Sequence, residues 1–174
     1  MIRTLELKDY EETKKLVYQV HTLHYESRPD IYNDGNPLPF EYFENIIKDK
    51  DTLKIVYEEN KHIVGLLIAT KKSDSSIPIM KERLTYFIED IVVDNNHRKK
   101  GIGKKLYDYL LDKAIKENIN AIELNVWSFN KSAIKFYESL GMSVKNMKLE
   151  RILTKSNIEL KETTLNITNK VKNK

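Results

Sequence analysis

The chain has 174 residues, of which 40 % are hydrophobic and 32 % charged, a size and composition that suit one globular domain with a sizeable core. It has no cysteine, no run of about 18 apolar residues that would span a membrane and no secretory signal pattern in "MIRTLELKDY", so we expect a cytoplasmic protein without a membrane partner. The net charge of +4 is weak support for a nucleic-acid partner, because the last twenty residues hold five Lys and two Glu and the rest is nearly neutral.

The first half of the chain predicts a strand, two helices and a hairpin. The strand covers Ile2 to Leu7, and Asp9 with Glu12 three residues later resembles a capping box at the start of a helix. The loop "ESRPDIYNDGNPLP" leads into a second helix from about Pro39 to Lys48. The apolar segments "TLKIVYE" and "HIVGLLIATKK" flank Glu59-Asn60-Lys61 and predict a hairpin.

The second half predicts alternating strands and helices. A strand from about Arg83 to Val93, a helix from Gly103 to Lys116 and the strand "NAIELNVW" form a βαβ unit, whose two strands should be parallel. A helix from Lys131 to Leu140 follows Asn130 as its N-cap, and "MSVKNMKLERIL" predicts one or two closing strands. We therefore expect an α/β fold with a mixed sheet in residues 1–154, and a basic tail in 155–174 that is frayed or docked on a partner.

Two of the five glycines, Gly101 and Gly103, fall together between a strand and a helix, among five Lys and Arg side chains in "HRKKGIGKK". Backbone N–H groups and the helix dipole favour an anion at such a junction, which suggests a phosphate site. A nucleotide P-loop is excluded because Lys104 is followed by Lys105 without a hydroxyl, and a dinucleotide fingerprint because Leu106 replaces its third glycine. The alternative is a tight turn before a solvated basic helix.

Two motifs together give this loop a context. The pattern Arg98-x-x-Gly101-x-Gly103, after "FIEDIVVD", resembles the acyl-CoA loop of the GNAT superfamily of N-acyltransferases, and "NKSAIKFYESLGM" resembles its second signature, with Met142 in place of a common Phe. The resemblance covers the order of elements from about residue 2 to 153. It implies the GNAT fold, a mostly antiparallel sheet with a splayed parallel strand pair flanked by helices, and an N-acetyltransferase that uses acetyl-CoA and no metal.

The same resemblance implies the roles of individual residues. Contacts to acetyl-CoA would come from Ile91, Val92, Val93, Arg98, Lys99, Lys100, Gly101, Ile102, Gly103, Lys104, Asn130 and Tyr137. Tyr137 would also protonate the departing thiolate. The base would be Glu89, because "YFIEDIVV" is similar to a segment of spermidine/spermine acetyltransferases, although a water wire is an alternative. Strand alternation puts Glu89 and Asp90 on opposite faces unless a bulge intervenes, and only one of them would then face the acceptor.

The segment of residues 25–44 would wall the acceptor cleft, and its five carboxylates against one arginine give it a charge of −4. With its aromatic side chains it suits a cationic amine, such as a polyamine, an aminoglycoside or a peptide amine. We expect Tyr25, Glu26, Tyr32 and Asp90 to bind this acceptor; the alternative is solvated carboxylates and core aromatics. His21 and His24 share a helix face without a third metal ligand. A CoA-binding module without catalysis, and a homodimer, are further possibilities.

Overall fold

The computed structural model describes residues 1–73 and 78–153. In chain order, the strands and α-helices of these residues are β1 (Ile2–Thr4), α1 (Tyr10–Ser27), α2 (Phe40–Lys48), β2 (Thr52–Glu59), β3 (His62–Ser73), β4 (Leu84–Val93), α3 (Ile102–Lys116), β5 (Ala121–Leu124) and α4 (Lys131–Ser139). This order confirms the predicted elements as far as the last helix. None of the helices in the described ranges combines the length and the apolar character needed to cross a bilayer.

The strands form one sheet in the order β1-β2-β3-β4-β5. The first three pairs are antiparallel, and β4 and β5 are parallel. A parallel neighbour requires a crossover, which α3 supplies. The mixed sheet and the βαβ unit that the sequence predicts are therefore confirmed, and the hairpin between β2 and β3 turns at Asn60 and Lys61, both with positive φ.

Helices cover the sheet on both faces, and β3 is buried continuously from Ile63 to Ala69. Leu16 and Val17 of α1 and Phe43 of α2 belong to the main apolar cluster with strand residues such as Leu66. Helix α3 packs against β2, β3 and β4. Its first turn lies so close to β3 that a Cβ on Gly65 would lie 2.9 Å from Ile102 Cγ2, and this close packing fixes where the helix begins.

The start of α1 differs from the prediction. The helix begins at Tyr10, directly after Asp9, but Asp9 and Glu12 form no capping box. The carboxylate of Asp9 accepts hydrogen bonds from the Glu6 N–H at 2.8 Å and from Arg3 at 2.7 and 3.0 Å. Glu12 accepts the Ile63 N–H at 2.6 Å instead. Asp9 therefore binds Arg3 and the Glu6 N–H, and Glu12 binds an N–H of β3. These contacts take the place of the predicted capping box.

The chain divides into two compact units, residues 1–136 and residues 137–174, of which the second is described to residue 153. Its described part begins in the last turn of α4 and turns at Gly141, whose φ is 85°. The closing strands predicted for "MSVKNMKLERIL" are not found. Residues 141–153 form no strand and pair with none of the strands in the described chain. Residues 155–174 lie outside the described ranges, so the division into 1–154 and a tail stays a prediction.

Candidate active site

Strands β4 and β5 separate partway along their length. They pair from Thr85 with Ala121 to Ile88 with Leu124, where β5 ends, while β4 continues to Val93. Beyond Ile88, the edge of β4 on the β5 side has no strand partner in the described ranges, although β3 still pairs on its other side. Backbone N–H and C=O groups on such an edge are available to an extended ligand. The residues Ile91, Val92 and Val93 that the sequence singles out lie on this stretch.

A β-bulge interrupts β4 at the predicted catalytic carboxylates. Ile88 lies opposite Ala69 and Asp90 lies opposite Ile68, so Glu89 is the extra residue. A bulge suspends the simple alternation of side chains between the two faces of a strand. The bulge is the condition under which Glu89 and Asp90 need not lie on opposite faces, so both carboxylates can serve one site. The two side chains are close enough to interact electrostatically.

Glu89 has a partner in the neighbouring strand. Its Oε1 lies 2.9 Å from the Nζ of Lys72. The same ammonium lies 3.7 Å from the centre of the Phe87 ring, which fixes it by a cation–π contact. Both members of the pair are partly exposed, so water screens the interaction.

Asp90 is in a different situation. Within the described part of the chain its side chain accepts no hydrogen bond and forms no ion pair. Burial, and to a smaller extent the neighbouring Glu89, raises the pKa of Asp90 to about 6. Burial also raises the pKa of Tyr42, with added contributions from Asp90 and Glu89, so α2 brings a phenol towards the bulge. The Asp90 carboxylate therefore has a pKa close to neutral pH.

The loop between β4 and α3 has the backbone of an anion site. Lys99 and Gly101 have φ values of 62° and 77°, and Gly101 is the residue that precedes the first turn of α3. The first N–H groups of a helix lack intrahelical acceptors, and the dipole is positive there. Gly103 has another reason to be glycine, since a Cβ would lie 3.1 Å from Cζ of Phe136 in α4.

The basic side chains around this loop are exposed, and some have local partners. Arg98 donates from Nε to the Val93 carbonyl at 3.2 Å, and Lys104 pairs with Asp108 at 2.7 Å one helical turn later. Asn130 caps α4 as predicted, with its Oδ1 accepting the Ala133 N–H at 3.1 Å. The loop therefore presents positive charge to solvent without any cation being buried.

A group of rings fixes the predicted acceptor segment to the stretch after β5. We call this group the aromatic cluster; its members are His21, His24, Tyr32, Trp127 and Phe129. The Trp127 indole N–H donates to the Tyr32 hydroxyl at 2.9 Å, and the His24 ring stacks on Tyr32 at 5.3 Å. Burial, with a smaller effect from His21, lowers the pKa of His24. No three metal-binding side chains come together within the described ranges.

Some of the acidic side chains in residues 25–44 already have partners within the protein. Arg28 donates to both oxygens of Asp30, at 2.8 and 2.7 Å, and its guanidinium lies 5.2 Å from the Trp127 ring. Glu44 pairs with Lys48 at 3.0 Å. Phe43 is fully buried, so it belongs to the core. The predicted binding residues Tyr25 and Glu26 lie in the last turns of α1, with Glu26 exposed.

Three residues near the site escape the sequence prediction. Tyr42 belongs to the predicted acceptor segment but is not one of its expected binding residues, and nothing in the sequence distinguishes Lys72 from the other lysines. Gln19 contacts the start of the glycine loop from α1, far away in the chain. The pattern "FEYF" could have drawn attention to Tyr42, whereas nothing local marks the other two.

Comparison with known proteins agrees with this geometry. A family model described as Acetyltransferase (GNAT) family matches residues 17–142, and the chain belongs to that family. In structure, a mutant of the BH1408 protein from Bacillus halodurans is similar, with a TM-score of 0.86 and 30 % identity over 88 % of this chain and 99 % of that one.

Two curated relatives match shorter stretches. An L-ornithine N5-acetyltransferase from Arabidopsis thaliana is 37 % identical over 59 residues, 34 % of this chain and 26 % of the relative. A ribosomal protein bS18-alanine N-acetyltransferase from Escherichia coli K12 is 35 % identical over 54 residues, 31 % of this chain and 36 % of the relative. The match thus covers only about a quarter to a third of these relatives.

Proposed function

We propose that the protein transfers an acetyl group from acetyl-CoA to a primary amine, which attacks the thioester directly while both substrates are bound. The observation that carries this proposal is the open edge of β4 beyond Ile88, which runs into the left-handed Gly101 at the start of α3. The family to which the chain belongs supports the same activity.

The donor groups along this path suit acetyl-CoA. The edge of β4 at residues 91–93, which has no strand partner on the β5 side in the described chain, offers hydrogen bonds to the amide groups of pantetheine, and Asn130 lies at the start of α4, the element that follows β5 in the chain. The first turn of α3 and the exposed Arg98, Lys99 and Lys100 offer N–H groups and charge to the pyrophosphate. When bound, acetyl-CoA supplies an activated acyl group on a good leaving thiolate.

The acceptor amine must lose a proton before it attacks, because a primary amine has a pKa near ~10. We assign this task to Asp90, with Glu89 attracting the ammonium beside it. Asp90 has no partner in the described chain and a pKa of about 6, whereas Glu89 is paired with Lys72. This proposal exchanges the roles that the sequence suggests for the two carboxylates, and the kinetics of Asp90→Asn and Glu89→Gln distinguish the two assignments.

Tyr137 is the proposed acid, and this role rests on the resemblance of "KFYES" to the family signature. The residue lies in the last turn of α4. A phenol with a reference pKa near ~10 can donate to a thiolate whose conjugate acid is near ~8.5 as the carbon–sulfur bond breaks.

A cationic amine is the proposed acceptor. The carboxylates of Glu89 and Asp90 favour a positive group at the bulge, and the exposed Glu26 extends the negative charge along α1. Tyr25, Tyr32 and Tyr42 would pack against the apolar part of such a molecule. The names of the two curated relatives include ornithine and an alanine of a ribosomal protein, which supports amine acceptors of either small or peptide type.

The test is CoA release from acetyl-CoA in the presence of a panel of polyamines, aminoglycosides, amino acids and peptides. We expect turnover with cationic amines, and a loss of ~10² or more in kcat for Tyr137→Phe with little change in acetyl-CoA affinity. Tyr109→Phe, at an exposed position of α3, is the matched control and should keep full activity. Thermal stabilisation by acetyl-CoA without turnover on any amine would instead identify a binding module.

A further inference from the structure

The side-chain amide of Gln19 bridges helix α1 and the start of the glycine loop. Its Nε2 donates to Asp94 Oδ2 at 2.9 Å, and its Oε1 accepts the Asn95 N–H at 3.0 Å. Both ends of one amide are therefore used on two successive residues of the chain that follows β4. Such a two-point contact fixes orientation as well as distance.

Asp94 is the centre of the turn that Gln19 holds. It also accepts the Asn96 N–H at 3.0 Å, and one of its oxygens lies 2.8 Å from His97 Nδ1. Its own N–H donates to the Val64 carbonyl at 3.0 Å, which ties the turn to β3. The hydrogen bonds from Gln19 and then His97 lower the pKa of Asp94, so its carboxylate stays charged and can hold all these donors together.

The loop that follows needs such support. Lys99 has a φ of 62°, a left-handed conformation that is uncommon for a residue with a side chain and is kept only where the surroundings hold it. The loop side chains from Arg98 to Lys100 are exposed, so packing on them contributes little. The fixed points are the turn at 94–97 on one side and the first turn of α3, packed on Gly65, on the other.

We propose that Gln19 is a positioning residue, which holds the turn at 94–97 and thereby keeps the glycine loop in the conformation that binds the pyrophosphate of acetyl-CoA. This inference rests on the proposed function for its ligand. It adds a requirement that lies on α1, the helix that also carries His21 and His24 of the aromatic cluster.

A charge exchange tests the inference. Gln19→Glu replaces the amide nitrogen that donates to Asp94 with a carboxylate oxygen, which cannot donate. In the double variant Gln19→Glu with Asp94→Asn, the side chain at position 94 donates and the side chain at position 19 accepts, so the hydrogen bond is restored in the opposite direction. We expect the Kd for CoA to rise roughly tenfold in the single variant and to return within about threefold of wild type in the double variant. Lys15→Gln, at an exposed position of α1, makes the same change in net charge and should leave the Kd unchanged.

Amide hydrogen exchange of the ligand-free protein supplies a second readout. Gln19→Glu should speed exchange in residues 95–104, and the double variant should reverse this. Unchanged exchange in the single variant, or a double variant no better than the single one, overturns the positioning role. Failure of wild type to bind CoA overturns the proposed function instead, and the exchange data then still decide whether Gln19 holds the loop. The kcat at saturating acetyl-CoA should stay within about twofold of wild type, as expected for an effect on binding alone.

Discussion

Near one end of β4, Tyr86 donates from its hydroxyl to Glu117 Oε2 at 2.7 Å, and Lys71 and Lys113 lie 2.8 and 2.7 Å from the same carboxylate. Lys113 first, then Lys71 and Tyr86, lower the pKa of Glu117 to about 2. Further along the same strand, Asp90 has none of these donors in the described chain, and burial raises its pKa to about 6.

The difference separates two uses of a carboxylate. Glu117 connects the C-terminal end of α3 to β3 and β4. Its charge is compensated by partners within the fold, so it stabilises the folded protein. Asp90 is partly withdrawn from water while its side chain has no partner in the described chain, which costs stability and leaves its charge available to a ligand. A bulge makes this possible, because it takes β4 out of its regular register at Glu89.

The largest expected effect is on catalysis. Asp90→Asn keeps the size of the side chain but removes the proposed base, so we expect kcat/KM with a cationic amine to fall by ~10² to ~10³. Glu89→Gln, its neighbour on the bulge, should lower kcat/KM by less than about tenfold. Steady-state kinetics of both variants at pH 7.5 give the comparison. A larger loss for Glu89→Gln would return the role of base to Glu89, as the sequence suggests.

The pH dependence of the wild type checks the same assignment. Only the ionised form of Asp90 can accept a proton, so kcat/KM should rise as the pH increases through about 6. The Asp90→Asn variant should lack this acidic limb. Glu89, Tyr42 and Lys72 lie around the group, and of these only the Glu89 carboxylate could replace Asp90, so a limb that persists in Asp90→Asn would return the role of base to Glu89.

The second effect is on stability at the other end of β4. Glu117→Gln removes the charge that Lys71, Lys113 and Tyr86 compensate, and we expect the free energy of unfolding to fall by ~2 kcal/mol at pH 7, with kcat unchanged. The folded pKa lies below the unfolded one, so this stabilisation is present above about pH 4.5 and is lost as the pH falls towards 2. Urea unfolding at pH 7 and pH 3 measures both points.

Tyr86→Phe is the control for the Glu117 variant, since it removes one of the three donors and should cost about half as much. A destabilisation by Glu117→Gln that is the same at pH 3 and pH 7 would contradict the electrostatic explanation. It would indicate that shape or packing at the end of α3 matters more than charge.

The sequence predicts the order of the helices and strands more accurately than the arrangement of the Glu89 and Asp90 carboxylates. Hydrophobic periodicity, Asn130 and the glycines are local signals, and they correctly predict the order from β1 to α4 and the parallel pair. The bulge at Glu89 is a matter of register with β3, and no residue in "FIEDIV" encodes it locally. The exception named in the sequence analysis, a bulge, is therefore the case that applies, and simple strand alternation does not decide how Glu89 and Asp90 are related.

Contacts between side chains that are far apart in the sequence cannot be predicted from local patterns either. Lys72 reaches Glu89 and Gln19 reaches Asp94 only after β3 and α1 are packed against β4. The predicted capping box of Asp9 and Glu12 fails only in part for this reason: the distant Ile63 N–H binds Glu12, whereas Asp9 binds the nearby Glu6 N–H and Arg3. Local rules describe what a residue can do, and tertiary contacts decide which option is realised.

The smallest expected effect is a gain of stability on removing the charge at Asp90. Because the folded pKa is above the unfolded one, the folded protein binds this proton more tightly, and that contribution is lost as the pH rises through about 6. Asp90→Asn should therefore raise the free energy of unfolding by about 1 to 2 kcal/mol at pH 7.5, after allowance for partial exposure, and by close to zero at pH 4. Urea unfolding of wild type, Asp90→Asn and Glu89→Gln at the two pH values measures this. Glu89→Gln removes one neighbouring negative charge, so a gain equal to that of Asp90→Asn would mean that repulsion, rather than burial, dominates at the bulge.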